Sequence, residues 1–321
     1  MSLRRLVPTV VASAVAVVAA GCGGSAAGDA DGKLSVATST SAWAGVVRAV
    51  AGDSVTVSAV IDDPVADPHS YESTAEDALT FTKADLVVIN GGGYDAFAEK
   101  LAEQAPDVPV IDAFAVSGRG SEEEHDHDHG DDHAEDHDGH AHEHGAVNEH
   151  VWFDLDTVEA VADEVVAHLG ALAPERKAEF EANGKKFAQG LAKLRQELTA
   201  LRKAAAGQRV IATEPVAFYL LDAAGLHDVT PKAFSSAIEG DSDVPVAAQA
   251  EVTRLVERGE VTAVVHNPQT ETEVTQQLVA TAERSGTPVV EISETLPEGE
   301  SDYLRWLAAE IEELKTAVAR P

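Results

Sequence analysis

Cysteine is all but missing from this chain: of 321 residues, only Cys22 is one. A single thiol cannot form an internal disulfide, so the fold must be held without one. Cations are scarce as well, 23 Lys and Arg against 56 Asp and Glu, for a formal net charge of -33. Phosphate backbones are bound by clustered Lys and Arg, so this balance excludes a nucleic-acid partner. The apolar run Leu6 to Val18 falls short of the roughly 20 residues that a confident membrane span needs. Gly91-Gly92-Gly93 lacks the lysine and spacing of a phosphate-binding P-loop and reads as a turn after a strand. Apolar residues make up an ordinary 44%, enough for one large core or two lobes of usual domain size.

What the N-terminus does have is an export signal. Arg4 and Arg5 precede the apolar run, and Val18-Ala19-Ala20-Gly21-Cys22 is a small-residue cleavage site. The ending resembles a bacterial lipobox, which implies that Cys22 becomes the lipidated first residue of the mature protein. Residues 23–32 are mostly Gly, Ala and Asp, with nothing to pack, and read as a flexible tether. The folded part is then expected outside the cytoplasm, anchored to the outer face of a membrane.

Histidine is concentrated in one place. His125, His127, His129, His133, His137, His140, His142 and His144 alternate with acids between Glu122 and His144. No apolar period runs through this stretch, so 118–147 reads as a disordered insert, with those eight imidazoles as weak auxiliary metal captors. Two separate histidine motifs flank it: Asp67-Pro68-His69-Ser70-Tyr71-Glu72 and Asn148-Glu149-His150-Val151-Trp152-Phe153-Asp154. Neutral imidazole is the commonest protein ligand for transition metals, so the chain looks built around a metal ion.

Elsewhere short β-branched runs alternate with amphipathic helical ones, the pattern of parallel α/β architecture. Strands are predicted at Leu34 to Ala37, Val55 to Ile61, Leu86 to Ile89 and Val108 to Ile111, and again at Arg209 to Ala212, Val261 to Val265 and Val289 to Ile292. Helices fill the gaps. The expected organisation is a signal peptide over 1–22, the tether over 23–32, a first lobe over 33–155 carrying the insert, linking helices over 156–206 and a second lobe over 207–321. The link should break near Gly170 to Pro174, because proline is tolerated at a helix start and not inside one. From Pro174 to Ala206, Phe180, Phe187, Leu191, Leu194, Leu198 and Leu201 recur mostly three or four apart. Such a helix runs roughly 45 Å and could brace both lobes.

Ligands of open parallel sheets bind beyond the carboxyl ends of the strands. His69, Glu214, His266 and Glu294 each follow a predicted strand. His168 on a helix face and His227 in a Gly225-Leu226-His227-Asp228 loop read as ordinary surface residues. Trp43, Trp152 and Trp306 read as packing.

The two histidine motifs, with Gly91 to Asp95, Glu214 to Leu226, His266 to Thr270 and Glu294 to Pro297, are similar to those of the TroA-like zinc and manganese receptors. These are metal-binding lipoproteins of ABC importers, whose two α/β lobes of parallel sheets flanked by helices are joined by one long rigid helix. The resemblance covers nearly the whole mature chain, and the insert falls where many zinc-importing relatives carry one. It implies His69 and His150 as ligands, Glu214 at the third position and Glu294 at the fourth. The third is histidine in most zinc receptors and glutamate in manganese receptors. The fourth is normally aspartate, so Asp241, Asp243 and His266 stay open as alternatives to Glu294.

Raw affinity at nitrogen and oxygen sites favours zinc over manganese, and manganese prefers oxygen-rich coordination, so the imidazole-rich insert points to Zn2+ with Mn2+ as the alternative. Four protein ligands would leave no open position for catalytic water, which argues against an enzyme. The resemblance implies a permease and an ATPase as partners. An extracellular zinc buffer or adhesion lipoprotein relying on the insert is the competing class. Nothing in the pattern demands more than a monomer.

Overall fold

The computed structural model describes residues 33–120 and 148–319. The expected signal peptide, tether and insert, with Cys22 and all eight histidines from His125 to His144, lie outside the described residues, apart from 118–120.

Two four-stranded parallel sheets form the frame. The first is built from β1 (Leu34–Thr40), β2 (Val55–Ile61), β3 (Leu86–Ile89) and β4 (Val110–Asp112), in the order β2-β1-β3-β4. Its connecting helices are α1 (Ser41–Ala51), α2 (Ala75–Lys83) and α3 (Ala96–Glu103), and the short α4 (Ala113–Ser117) follows β4. The second sheet repeats the order, β6-β5-β7-β8, from β5 (Arg209–Ala212), β6 (His227–Asp228), β7 (Ala263–His266) and β8 (Val289–Glu291). Around it lie α7 (Phe218–Ala224), α8 (Lys232–Glu239), α9 (Val246–Glu257), α10 (Glu273–Ser285) and α11 (Tyr303–Val318), and α5 (Leu155–Leu172) and α6 (Lys177–Ala205) join the lobes.

Strand alternation sets the layers. In the first sheet Val36, Leu86 and Val88 face a large central core, while Ala37, Val87 and Ile89 pack outward on Phe81, Phe97 and Leu101. In the second, Val210, Ala212, Ala263 and Val265 face that same core, and Ile211 and Val264 pack outward on Phe234, Val252 and Leu278. The central core is therefore continuous across both lobes.

The link breaks between Leu172 and Lys177, where Pro174 opens a single tight turn that only needs the proline's fixed φ. Beyond it α6 runs 29 residues with Phe180, Phe187, Leu191, Leu194, Leu198 and Leu201 buried. It touches α1 and α5 on one side and α7 and α11 on the other, so it does brace both lobes. At Gly190 an added Cβ would stand 2.3 Å from a δ-methyl of Leu304 of α11, so a larger residue at this crossing would have to displace that side chain.

Several local differences from the sequence reading have simple causes. β4 starts at Val110, not Val108, since Pro109 has no N–H and contributes only its carbonyl, which accepts from Val87. His227 belongs to the two-residue strand β6 and not to a loop, though it is exposed. His266 ends β7 instead of following it. The folded lobe also extends past the expected insert boundary at 118. Arg119 bonds Asp154 at 2.6 Å and lies over the Tyr219 ring at 4.4 Å, fastening 118–120 to the body. Among the described residues no helix is long and apolar enough to cross a membrane.

Candidate metal centre

The carboxyl ends of the two sheets face each other, and the loops beyond them meet. Gln269 of the second lobe donates to the Ala66 carbonyl of the first at 3.2 Å, and the Leu296 amide donates to Ser41 at 3.0 Å.

His69 sits in the loop after β2, its backbone N–H held by the Asp67 carboxylate at 2.9 Å. Its ring meets Tyr94 edge-on at 4.8 Å and lies 5.9 Å from the ring of His150. His69 is exposed and His150 is fully buried. Asn148 fixes His150: its Oδ1 faces both the His150 backbone N–H at 2.9 Å and the ring Nδ1 at 3.1 Å. An amide oxygen only accepts, so Nδ1 carries the proton and the Nε2 lone pair points away. That Nε2 has no hydrogen-bond partner. Burial, and then His69, hold the imidazole well below its ordinary pKa, so it stays neutral, the form that binds metals.

Carboxylates close the other side. Glu294, beyond β8, is buried; it accepts from Tyr94 Oη at 2.7 Å and from Asn267 Nδ2 at 2.7 Å. Burial, reinforced by Glu214 and Asp67 and opposed by those hydrogen bonds, pushes its pKa up to about 8. Glu214, beyond β5, accepts from Thr270 Oγ1; burial pushes it up to about 7 against its hydrogen bonds to Thr270 and Asn267. Glu239, the last residue of α8, is pushed to about 8 by burial and by Glu149 and Glu294. Its Oε1 has no partner.

One ligand atom each from His69, His150 and Glu239 lie within 4.8 Å of one another. Ligand atoms on a four-coordinate zinc at roughly 2.1 Å stand about 3.4 Å apart, so this trio has about an ångström to close around an ion. The unbonded nitrogen of neutral His150 and the carboxylates opposite it could together hold a cation.

Glu239 did not stand out in the sequence because α8 did not. The available signal was Phe234, Ala237 and Ile238, buried at helical spacing just before it. The open alternatives for the fourth position fall elsewhere. Asp241 and Asp243 are exposed. His266 is buried, and the charges acting on it are Glu271 and Glu291. It is the next residue, Asn267, that reaches Glu294, as alternation at a strand end requires.

The family described as ZnuA, zinc-uptake complex component A, periplasmic, matches residues 36–317. The chain belongs to this family. A zinc-binding lipoprotein AdcA of Streptococcus pneumoniae is 28% identical over 239 residues, 72% of this chain and 44% of the relative. A manganese ABC transporter substrate-binding lipoprotein PsaA of Streptococcus mitis is 28% identical over 177 residues, 51% of this chain and 50% of the relative. The chain thus spans about half the length of the curated relatives it matches. The periplasmic zinc-binding protein TroA of Treponema pallidum shares the fold, with a TM-score of 0.68 at 20% identity over 90% of this chain and 100% of that one.

Proposed function

We propose that this ZnuA-family chain is the extracytoplasmic receptor of an ABC importer. It captures a divalent transition metal between its lobes and delivers it to a membrane permease driven by an ATPase. The observation that carries this is the unpartnered Nε2 of buried His150, beside His69 and facing a group of buried carboxylates. His69 and His150 supply two imidazoles from the first half of the chain, and Glu214 and Glu294 supply oxygens from the second. A bound dication ties the lobes together and neutralises acids that repel one another when it is absent.

Zinc is the favoured cargo, on raw affinity at nitrogen and oxygen donors and on the eight-histidine segment. Manganese is the second reading, favoured by the number of carboxylates around the imidazoles. In this reading Cys22 carries a lipid anchor and the protein acts as a monomer. The family relatives are named as transporter components, and the ligand set closes around the ion without reserving a water position, so the chain binds and releases without catalytic turnover. Because the core is continuous and α6 spans both lobes, release is assigned to the permease disturbing the lobe interface or a ligand loop.

The test is a zinc and manganese competition titration of protein lacking residues 1–22 and 122–144, repeated with His69→Ala. One tight zinc site, lost in the variant and not displaced by excess manganese, is the expected result. Manganese preference would reassign the cargo. Absence of any tight site would leave only buffering by the histidine-rich segment.

A further inference from the structure

We propose that Glu239 is a direct metal ligand, a third carboxylate joining Glu214 and Glu294 and presented by the short helix α8. The inference rests on the receptor reading above and adds a residue to its site. Among the carboxylates of the pocket, Glu294 has an oxygen engaged by Tyr94 and the other by Asn267, and Glu214 has one engaged by Thr270. Glu239 keeps an oxygen that is buried and bonded to nothing. The fully buried His150 has its only free ring nitrogen in the same condition. Leaving either atom dry and unpaired costs free energy that folding has to offset, and a single cation between them satisfies both. Geometry agrees: Glu239 is the carboxylate that comes within 4.8 Å of both imidazoles at once.

Its position on the chain explains how it arrives there. Val229 N–H donates to the Val210 carbonyl in β5, so the chain leaving β6 runs alongside β5, the strand that leads to Glu214. α8 then packs Phe234 and Ile238 into the outer core of the second lobe, and its last turn ends at Glu239. A set of two nitrogens and three carboxylates also tolerates a coordination number above four.

The test compares Glu239→Gln, Asp243→Asn and His150→Ala in the full chain, with Zn2+ affinity set by a competing chelator and Co2+ absorption as a reporter of coordination. Asp243 is exposed in the loop that follows α8 and controls for simple loss of charge. Glu239→Gln is expected to weaken Zn2+ about a hundred-fold and to change the Co2+ visible spectrum, while Asp243→Asn does neither. Affinity unchanged in Glu239→Gln, or weakened with the Co2+ spectrum intact, overturns direct ligation and leaves the receptor reading standing. Retention of the tight site in His150→Ala overturns the receptor site itself. Thermal unfolding of the metal-free proteins checks folding; removing a buried, unpaired carboxylate should leave Glu239→Gln at least as stable as the parent.

Discussion

The two halves of the proposed metal centre solve different problems. The imidazole half is organised in advance: His150 is locked by Asn148, backed by Trp152 at 5.1 Å and flanked by Tyr94 at 5.7 Å, and neutral bases cost little to hold there without an ion. The carboxylate half is costly to ionise: Glu214 and Glu294 are buried and Glu239 half-buried, and each is raised above the ordinary carboxylate range, by burial first and by neighbouring acids second. Geometry thus resides mainly on the first side and electrostatic drive on the second. A receptor needs both, since a rigid neutral site would bind weakly and a purely acidic one would select poorly.

The sharpest way to break that comparison is to remove the fixed base. If five ligands share the roughly 10–16 kcal/mol typical of structural zinc, His150→Ala should weaken Zn2+ on the order of a hundred-fold in a chelator competition. Next comes pH. Metal binds the deprotonated acids, whereas the metal-free pocket holds protons on Glu239 and Glu294 below about 8 and on Glu214 below about 7. Affinity should therefore fall as pH drops from 8 to 6 and level off above 8. Calorimetry at pH 7 in buffers of different ionisation enthalpy should count about two protons released per ion. A count of zero would mean that the acids are already ionised in the metal-free pocket, and would overturn the raised values on which this prediction stands.

A smaller effect separates the supports of the two halves. Asn148→Leu frees the His150 ring and should weaken Zn2+ roughly 10- to 100-fold, and Tyr94→Phe, which takes a hydrogen bond from Glu294, should cost less because Asn267 still holds that carboxylate. A larger loss in Tyr94→Phe would reverse the assignment of which half is preorganised.

The smallest effect on metal is expected from Glu310→Gln. Glu310 lies on the buried face of α11, accepts from Trp306 Nε1 at 2.9 Å, and is raised to about 7 by burial. Its folded pKa lies above the unfolded value, so its favourable contribution is complete below about 4.5 and is lost as pH rises through about 7. The amide variant should leave Zn2+ affinity unchanged and raise stability at pH 8 by ~1–3 kcal/mol, with little change near pH 4.5, read as thermal midpoints. The comparison is with Glu239, where burial of the same kind is relieved by an ion.

Much of the frame was readable from local pattern. β2, β3 and β5 occupy the predicted residues, and the helical period of α6 marks the seven-residue-to-three-residue stripe that it buries. His69 and His150 were visible because each lies in a compact motif. Glu239 was not, because nothing within α8 distinguishes a glutamate at a helix end from a solvated one. Only the pairing of β6 with β5, and the seating of Phe234 and Ile238, turn that carboxylate toward the imidazoles. The choice between Asn267 and His266 is of the same kind: both sit at the end of β7, and which one enters the cleft depends on strand register.

By itself the amino-acid sequence determined that this protein has two α/β lobes, a long helix between them and two histidines suited to a transition metal. Those properties reside in hydrophobic period and residue type, which act over a few neighbours. The tertiary structure alone decided which carboxylates share the pocket, which of their oxygens are already bonded and which imidazole nitrogen is free. Burial, mutual repulsion and hydrogen-bond saturation depend on residues distant in the chain, and they acquire values only when the fold brings those residues together.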